Sequence, residues 1–160
     1  MKRTIGFDPG KDGALCLIEG SQQPVVETFP FIGDELDTRA IWNWCRQVDD
    51  SYLNPPTIVI EKVHAMPGQG VTSMFTFGSG YGELKALAKI LGWPTAYVAP
   101  QAWKKQVLAG TDKSKGATVE WALRTYPSLQ PRLLKKSGLA HMGKVDALAI
   151  AHYGHHFHQR

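Results

Sequence analysis

The sequence predicts an α/β domain in which an antiparallel meander leads into strands of the buried, parallel type. Residues 4–8 alternate, with Ile5 and Phe7 on one face and Thr4, Gly6 and Asp8 on the other, which is the period of a strand. Pro9, Gly10 and Gly13 then turn the chain into a second apolar run at 14–18. TIVI at 57–60 is continuously apolar and β-branched, as in a strand covered on both faces of a largely parallel sheet. At 160 residues the chain reads as one domain, able to bury roughly 70% of its unfolded surface without disulfide or metal staples.

Taken in order, the first hairpin holds Asp8 at its rim, where the acid is either a turn cap or an immobile ligand for a hard cation. PVVETF at 24–29 supplies a third strand, ended by Pro30. Asp34 or Asp37 then caps a helix whose Ile41, Trp44, Cys45 and Val48 repeat at helical spacing. The strand at 57–60 runs directly into Glu61, which either turns out to solvent or needs a neutralising partner.

After a Gly/Pro-rich loop at 64–74, in which Thr72 or Ser73 is a candidate N-cap, the spacing of Phe77, Tyr81, Leu84, Ala88 and Leu91 predicts a helix. Gly78, Gly80 and Gly82 each cost about 1 kcal/mol there relative to Ala, so 75–82 reads either as loop or as a helix face approached by another backbone. A strand at 95–98, a helix at 101–108 opened by Pro100, and a helix at 114–126 come next. Residues 127–143, with Lys135 and Lys136, read as a mobile basic loop, and a helix over 144–157 closes the chain. The His-rich tail is given no role.

Charge is unevenly laid out. Residues 1–80 hold 6 Lys/Arg against 10 Asp/Glu, and residues 81–160 hold 12 against 4. That asymmetry fits a polyanion-binding surface beside an acidic pocket, or else a solvated basic face. Cys16 and Cys45 lie in apolar runs without zinc-site spacing and read as reduced core residues of a cytoplasmic protein. No signal peptide and no membrane span is expected.

Asp146 shares a helical face with Ile150, Tyr153 and Phe157, so it points toward the sheet or serves the dipole in the first turn. If the first and central strands are neighbours, Asp8, Glu61 and Asp146 meet at one edge. Each like-charge pair about 4 Å apart would cost about 4 kcal/mol at an effective dielectric near 20, a penalty that a divalent cation removes. Oxygen-only ligands suit Mg²⁺ or Mn²⁺, and acids of this kind beside a basic surface point to phosphodiester chemistry.

GFDPGKDGA at 6–14, IVIEKVHAM at 58–66, PQAWKK at 100–105 and KVDALAIA at 144–151 resemble the Holliday junction resolvases of the RuvC family, in the ribonuclease H-like superfamily, with phage-type members most similar. The resemblance spans nearly the whole chain. It implies a ribonuclease H-like mixed five-stranded sheet, three antiparallel strands then two parallel, with helices on both sides. It also implies a homodimer and Mg²⁺-dependent nicking of four-way DNA junctions, Mn²⁺ substituting. Asp8, Glu61 and Asp146 fall on three of the family's four metal positions. The fourth, usually Asp or His, is Gly143 here, and His141 is the nearest candidate. His141 serves as ligand or proton shuttle only if the helix begins after Gly143; otherwise it is a DNA-facing loop residue.

The resemblance carries further residues with it. His64 falls where the family often stacks an aromatic at the crossover. Lys105 falls on a basic position near the scissile phosphate, and Lys113 or Lys115 on a phosphate-binding one. Of Trp103 and Lys104 one is expected to pack or face away, yet Lys104, Lys135 and Lys136 are counted among the DNA-binding lysines. The function so implied is a junction-resolving endonuclease leaving 5′-phosphate and 3′-hydroxyl ends. Asp8 and Asp146 would hold one metal, Asp8 and Glu61 the other. The rival reading is a non-catalytic branched-DNA-binding module of the same fold. A sugar-kinase or actin-like ATPase also follows an Asp-x-Gly hairpin, but needs a second lobe with its own phosphate loop.

Overall fold

Strand β1 (Arg3–Asp8) is the centre of the sheet, pairing antiparallel with β2 (Ala14–Glu19) on one side and parallel with β6 (Thr57–Glu61) on the other. This computed structural model describes residues 1–49, 54–64, 68, 70–112, 114 and 116–158. β3 (Val25–Thr28) extends the antiparallel side and β7 (Thr95–Val98) the parallel side, giving the order β3-β2-β1-β6-β7. The mixed five-stranded sheet is thus the expected one. Between β3 and the first helix lies a two-strand hairpin, β4 (Phe31–Ile32) and β5 (Glu35–Leu36), too short to leave a periodic trace in the sequence.

Alternation along the strands builds two cores, one on each face. Ile5, Phe7, Leu15, Leu17, Ile58 and Ile60 point toward α1 (Thr38–Val48) and α2 (Val71–Leu91). Cys16, Ile18, Val26, Val59 and Val98 point toward α3 (Pro100–Val107), α4 (Ala117–Thr125), α5 (Gln130–Leu133) and α6 (Met142–His156). Both cysteines are buried and unpaired.

Helix ends depart from expectation where tertiary contacts decide them. Asp37, not Asp34, caps α1, accepting from the Ala40 N–H at 2.9 Å. α2 begins at Val71 with Gly70 as its cap, so Thr72 and Ser73 lie inside its first turn rather than capping it. Residues 75–82 are therefore helix, and a Cβ on Gly78, Gly80 or Gly82 would meet nothing within 4 Å. The basic stretch 127–143 is more ordered than a loop. It holds a 3-10 turn (Pro127–Leu129), α5, and a turn closed by a Leu134–Ala140 bridge and the first residues of α6.

At Gly6 the backbone of helix α6 lies on the sheet without a side-chain spacer. A Cβ on Gly6 would stand 2.4 Å from the Ala151 nitrogen and 2.5 Å from the Ala147 oxygen, and one on Gly154 would stand 2.4 Å from Val59 Cγ2. Gly6→Ala should therefore cost at least about 3 kcal/mol in urea unfolding, because helix backbone has to move. Gly80→Ala, in open helix, should gain about 0.5–1 kcal/mol. Equal small effects at the two sites would contradict the close packing.

Candidate active site

The register of the two central strands sets the first pair of acids. Phe7 is opposite Ile60 in the parallel ladder, so Asp8 and Glu61 follow at neighbouring carboxyl ends. Both share the parity of Gly6 and Val59, the face covered by α6. Carboxyl ends of parallel strands are where open α/β sheets place their ligand sites. The Ala147 carbonyl faces Gly6, which brings Asp146, one residue earlier on α6, to the same corner.

The electrostatics report that gathering. Burial first, then the charges of Asp146 and Glu61, push the Asp8 carboxyl up to about 9, with Lys104 opposing. Burial pushes Asp146 up to about 6, against Lys104 and with help from Glu61. No lysine or arginine among the described residues forms a close ion pair with any of the three. Nor do three His, Cys, Asp or Glu side chains among the described residues stand so that they could hold one ion between them. The trio is a shared field rather than a closed cage. Asp146 lies beyond the first turn of α6, which holds no acid, so the first-turn dipole role falls away.

His141 is placed differently. It is the N-cap of α6, and its Nδ1 accepts the Lys144 N–H at 3.3 Å. Burial, Lys144 and Lys135 push its pKa down while Asp12 pulls it up, and none of the three acids is among the charges acting on it. The helix begins before Gly143, so the condition for His141 to reach the acids is not met. Gly143 itself is forced: a Cβ there would lie 1.8 Å from the Asp12 carbonyl oxygen, so neither Asp nor His fits at that position.

Helix α3 supplies two residues whose roles the sequence did not separate. Trp103 is fully buried and its indole N–H donates to Glu61 Oε1 at 2.8 Å. Lys104 Nζ lies 5.2 Å from the Trp103 ring centroid, and its charge acts on both Asp8 and Asp146. Lys104 and Lys105 are both exposed, but Lys105 is not among the charges acting on either acid. A signal for Trp103 existed: a buried indole needs an acceptor, and its helix directly follows the strand beside Glu61. His64 is exposed three residues past Glu61, and Lys135 and Lys136 are exposed in the bridged turn before α6. Lys113 and Lys115 lie outside the described residues.

A carboxyl whose folded pKa is raised from 3.8 to about 9 binds its proton more tightly when folded, so its stabilising effect is lost as pH rises toward 9. In chelator, the melting temperature should fall between pH of about 7 and about 8.5, a window above the histidine titrations. Asp8→Asn should flatten that slope. A wild-type profile flat across this window would contradict the burial and crowding of Asp8.

No family model and no curated protein matches the chain. Solved structures do. RuvC of Thermus thermophilus in complex with a Holliday junction substrate is 18% identical, with a TM-score of 0.62 over 94% of this chain and 91% of that one. The Thermus thermophilus RuvC structure is 19% identical, with a TM-score of 0.59 over 93% and 90%. The yeast mitochondrial Holliday junction resolvase Ydc2 is 14% identical, with a TM-score of 0.53 over 94% and 76%. The chain has the ribonuclease H-like fold of the RuvC resolvases.

Proposed function

We propose that this chain is a structure-selective endodeoxyribonuclease that resolves Holliday junctions and related branched DNA by Mg²⁺-dependent hydrolysis, leaving 5′-phosphate and 3′-hydroxyl ends. The observation that carries the reading is the register of β1 and β6, which sets Asp8 and Glu61 at neighbouring carboxyl ends on the face that α6 covers, with Asp146 next to the residue packed on Gly6. Solved resolvases of the same fold, one of them in complex with a junction, support it. The donor chemistry of the three acids suits a hard divalent cation. The donors are all carboxylate oxygens, and Asp8 has no need of a proton beside a double positive charge. Mn²⁺ is expected to substitute.

Bound ions would supply an activated water and neutralise the leaving 3′-oxygen. Asp8 and Asp146 would hold one ion, Asp8 and Glu61 the other, a division that asks no three side chains to enclose one point. Lys104, already in the field of the acids, takes the part that the family resemblance gave to Lys105: offsetting charge on the phosphate in the transition state. Lys105, Lys135, Lys136 and His64 contact flanking phosphate and bases, with Lys113 and Lys115 in the same role by sequence. His141 belongs with these and not with the ligands.

Symmetric cutting of a four-way junction requires two active sites, and a homodimer provides them. The open amino-terminal turns of α2, where Val71 is 85% and Phe75 79% exposed, support a surface covered by a second copy. The rival reading, a non-catalytic junction-binding module, draws on Gly143, which leaves the fourth ligand position without a side chain.

A synthetic four-way junction separates the two. Asp8→Asn, Glu61→Gln and Asp146→Asn should each lower Mg²⁺-dependent cutting by at least about 100-fold, and Lys104→Met by about 10- to 100-fold. Lys105→Met should lower it by less than about 3-fold, and binding in Ca²⁺ should hold near wild type for the three amide variants. Light scattering on the same preparation should give a dimer. Undiminished cutting by any of the amide variants would end the proposal, and binding without cutting by wild type would favour the non-catalytic module.

A further inference from the structure

We infer that Trp103 is a positioning residue for Glu61 and sets the preference of the acid pocket for Mg²⁺ and Mn²⁺ over Ca²⁺, an inference that rests on the nuclease reading above. A buried indole must place its N–H on an acceptor, and here that acceptor is Glu61 Oε1 at 2.8 Å. With Trp103 0% exposed, the ring has no space in which to swing away. Among the described residues Glu61 has no other hydrogen-bond or ion-pair partner. One neutral donor therefore fixes the carboxylate's rotation. It occupies one oxygen, leaves Oε2 without a protein partner, and does not cancel the charge.

That arrangement discriminates between cations by geometry. Mg²⁺ is octahedral at about 2.0–2.1 Å and takes single carboxylate oxygens, whereas Ca²⁺, at about 2.3–2.6 Å with up to about eight ligands, commonly takes both oxygens of a carboxylate. A carboxylate whose Oε1 is held by an indole suits one-oxygen ligation and resists the two-oxygen mode. The same ring lies 5.2 Å from Lys104 Nζ, so one buried side chain borders both Glu61 and the lysine whose charge acts on the other two acids. A phenylalanine at 103 would keep an aromatic ring in the core but would leave Glu61 without its donor.

The test uses the full chain with 3-benzothienylalanine at position 103, which keeps the ring outline and replaces the N–H by sulfur. Mn²⁺ binding is read from the electron paramagnetic resonance of the free ion, and Ca²⁺ binding from competition, with the melting temperature reporting the fold. Affinity for Mn²⁺ should fall about 10-fold while that for Ca²⁺ falls less than about 2-fold. Trp103→Phe should shift the ratio in the same direction, and in a Glu61→Gln background the change at 103 should move it no further. An unchanged ratio, whether both affinities hold or both fall together as loosened packing alone would give, overturns the inference. If wild type cuts junctions with Mn²⁺ while the ratio is unmoved, the nuclease reading stands and this inference falls. If wild type neither binds Mn²⁺ nor cuts, both fall.

Discussion

The candidate site depends on helix α6 lying against β1 at Gly6 with no side chain between the two backbones. Gly6 admits the α6 backbone to β1, Gly154 receives Val59 and Thr4 near the carboxyl end of that helix, and Gly143 meets the Asp12 carbonyl of the β1–β2 turn near its amino end. Three glycines thus fix the helix along the strand at its two ends and its middle. Asp146 reaches Asp8 because Ala147 is pressed on Gly6, a backbone contact that leaves little freedom to either acid.

Putting carboxylates in that corner works against the fold. Desolvation and like charge hold a proton on Asp8 well above the usual carboxylate range, with Lys104 only partly offsetting them. Groups perturbed in this way gather at functional sites. Structural ion pairing would have offset the charge within the protein. Here Glu61 receives a neutral indole, and Lys104 only opposes the rise at Asp8 without a close ion pair among the described residues.

Much of this was legible from residue types. Alternation at 4–8 and the β-branched run at 57–60 gave strands of the right face and direction, because side-chain parity is fixed by the pleat. The parity of Asp8 and Glu61 came directly from it. What the sequence left open was set by contacts across the fold. The start of α6 depends on the His141 cap and the Asp12 carbonyl, so Asp146 lies two residues deeper in the helix than its spacing suggested. Lys104 and Lys105 could be told apart only by the phase of a short helix anchored through Trp103 to Glu61. The hairpin at 31–36 was invisible because strands of two residues have no period.

Anomalous scattering from crystals grown with Mn²⁺ tests the central claim most directly. Two peaks are predicted, one between Asp8 and Asp146 and one between Asp8 and Glu61, each about 2.1 Å from a carboxylate oxygen. Density at saturating Mn²⁺ that leaves this corner empty, or that is held by other side chains, would contradict the account.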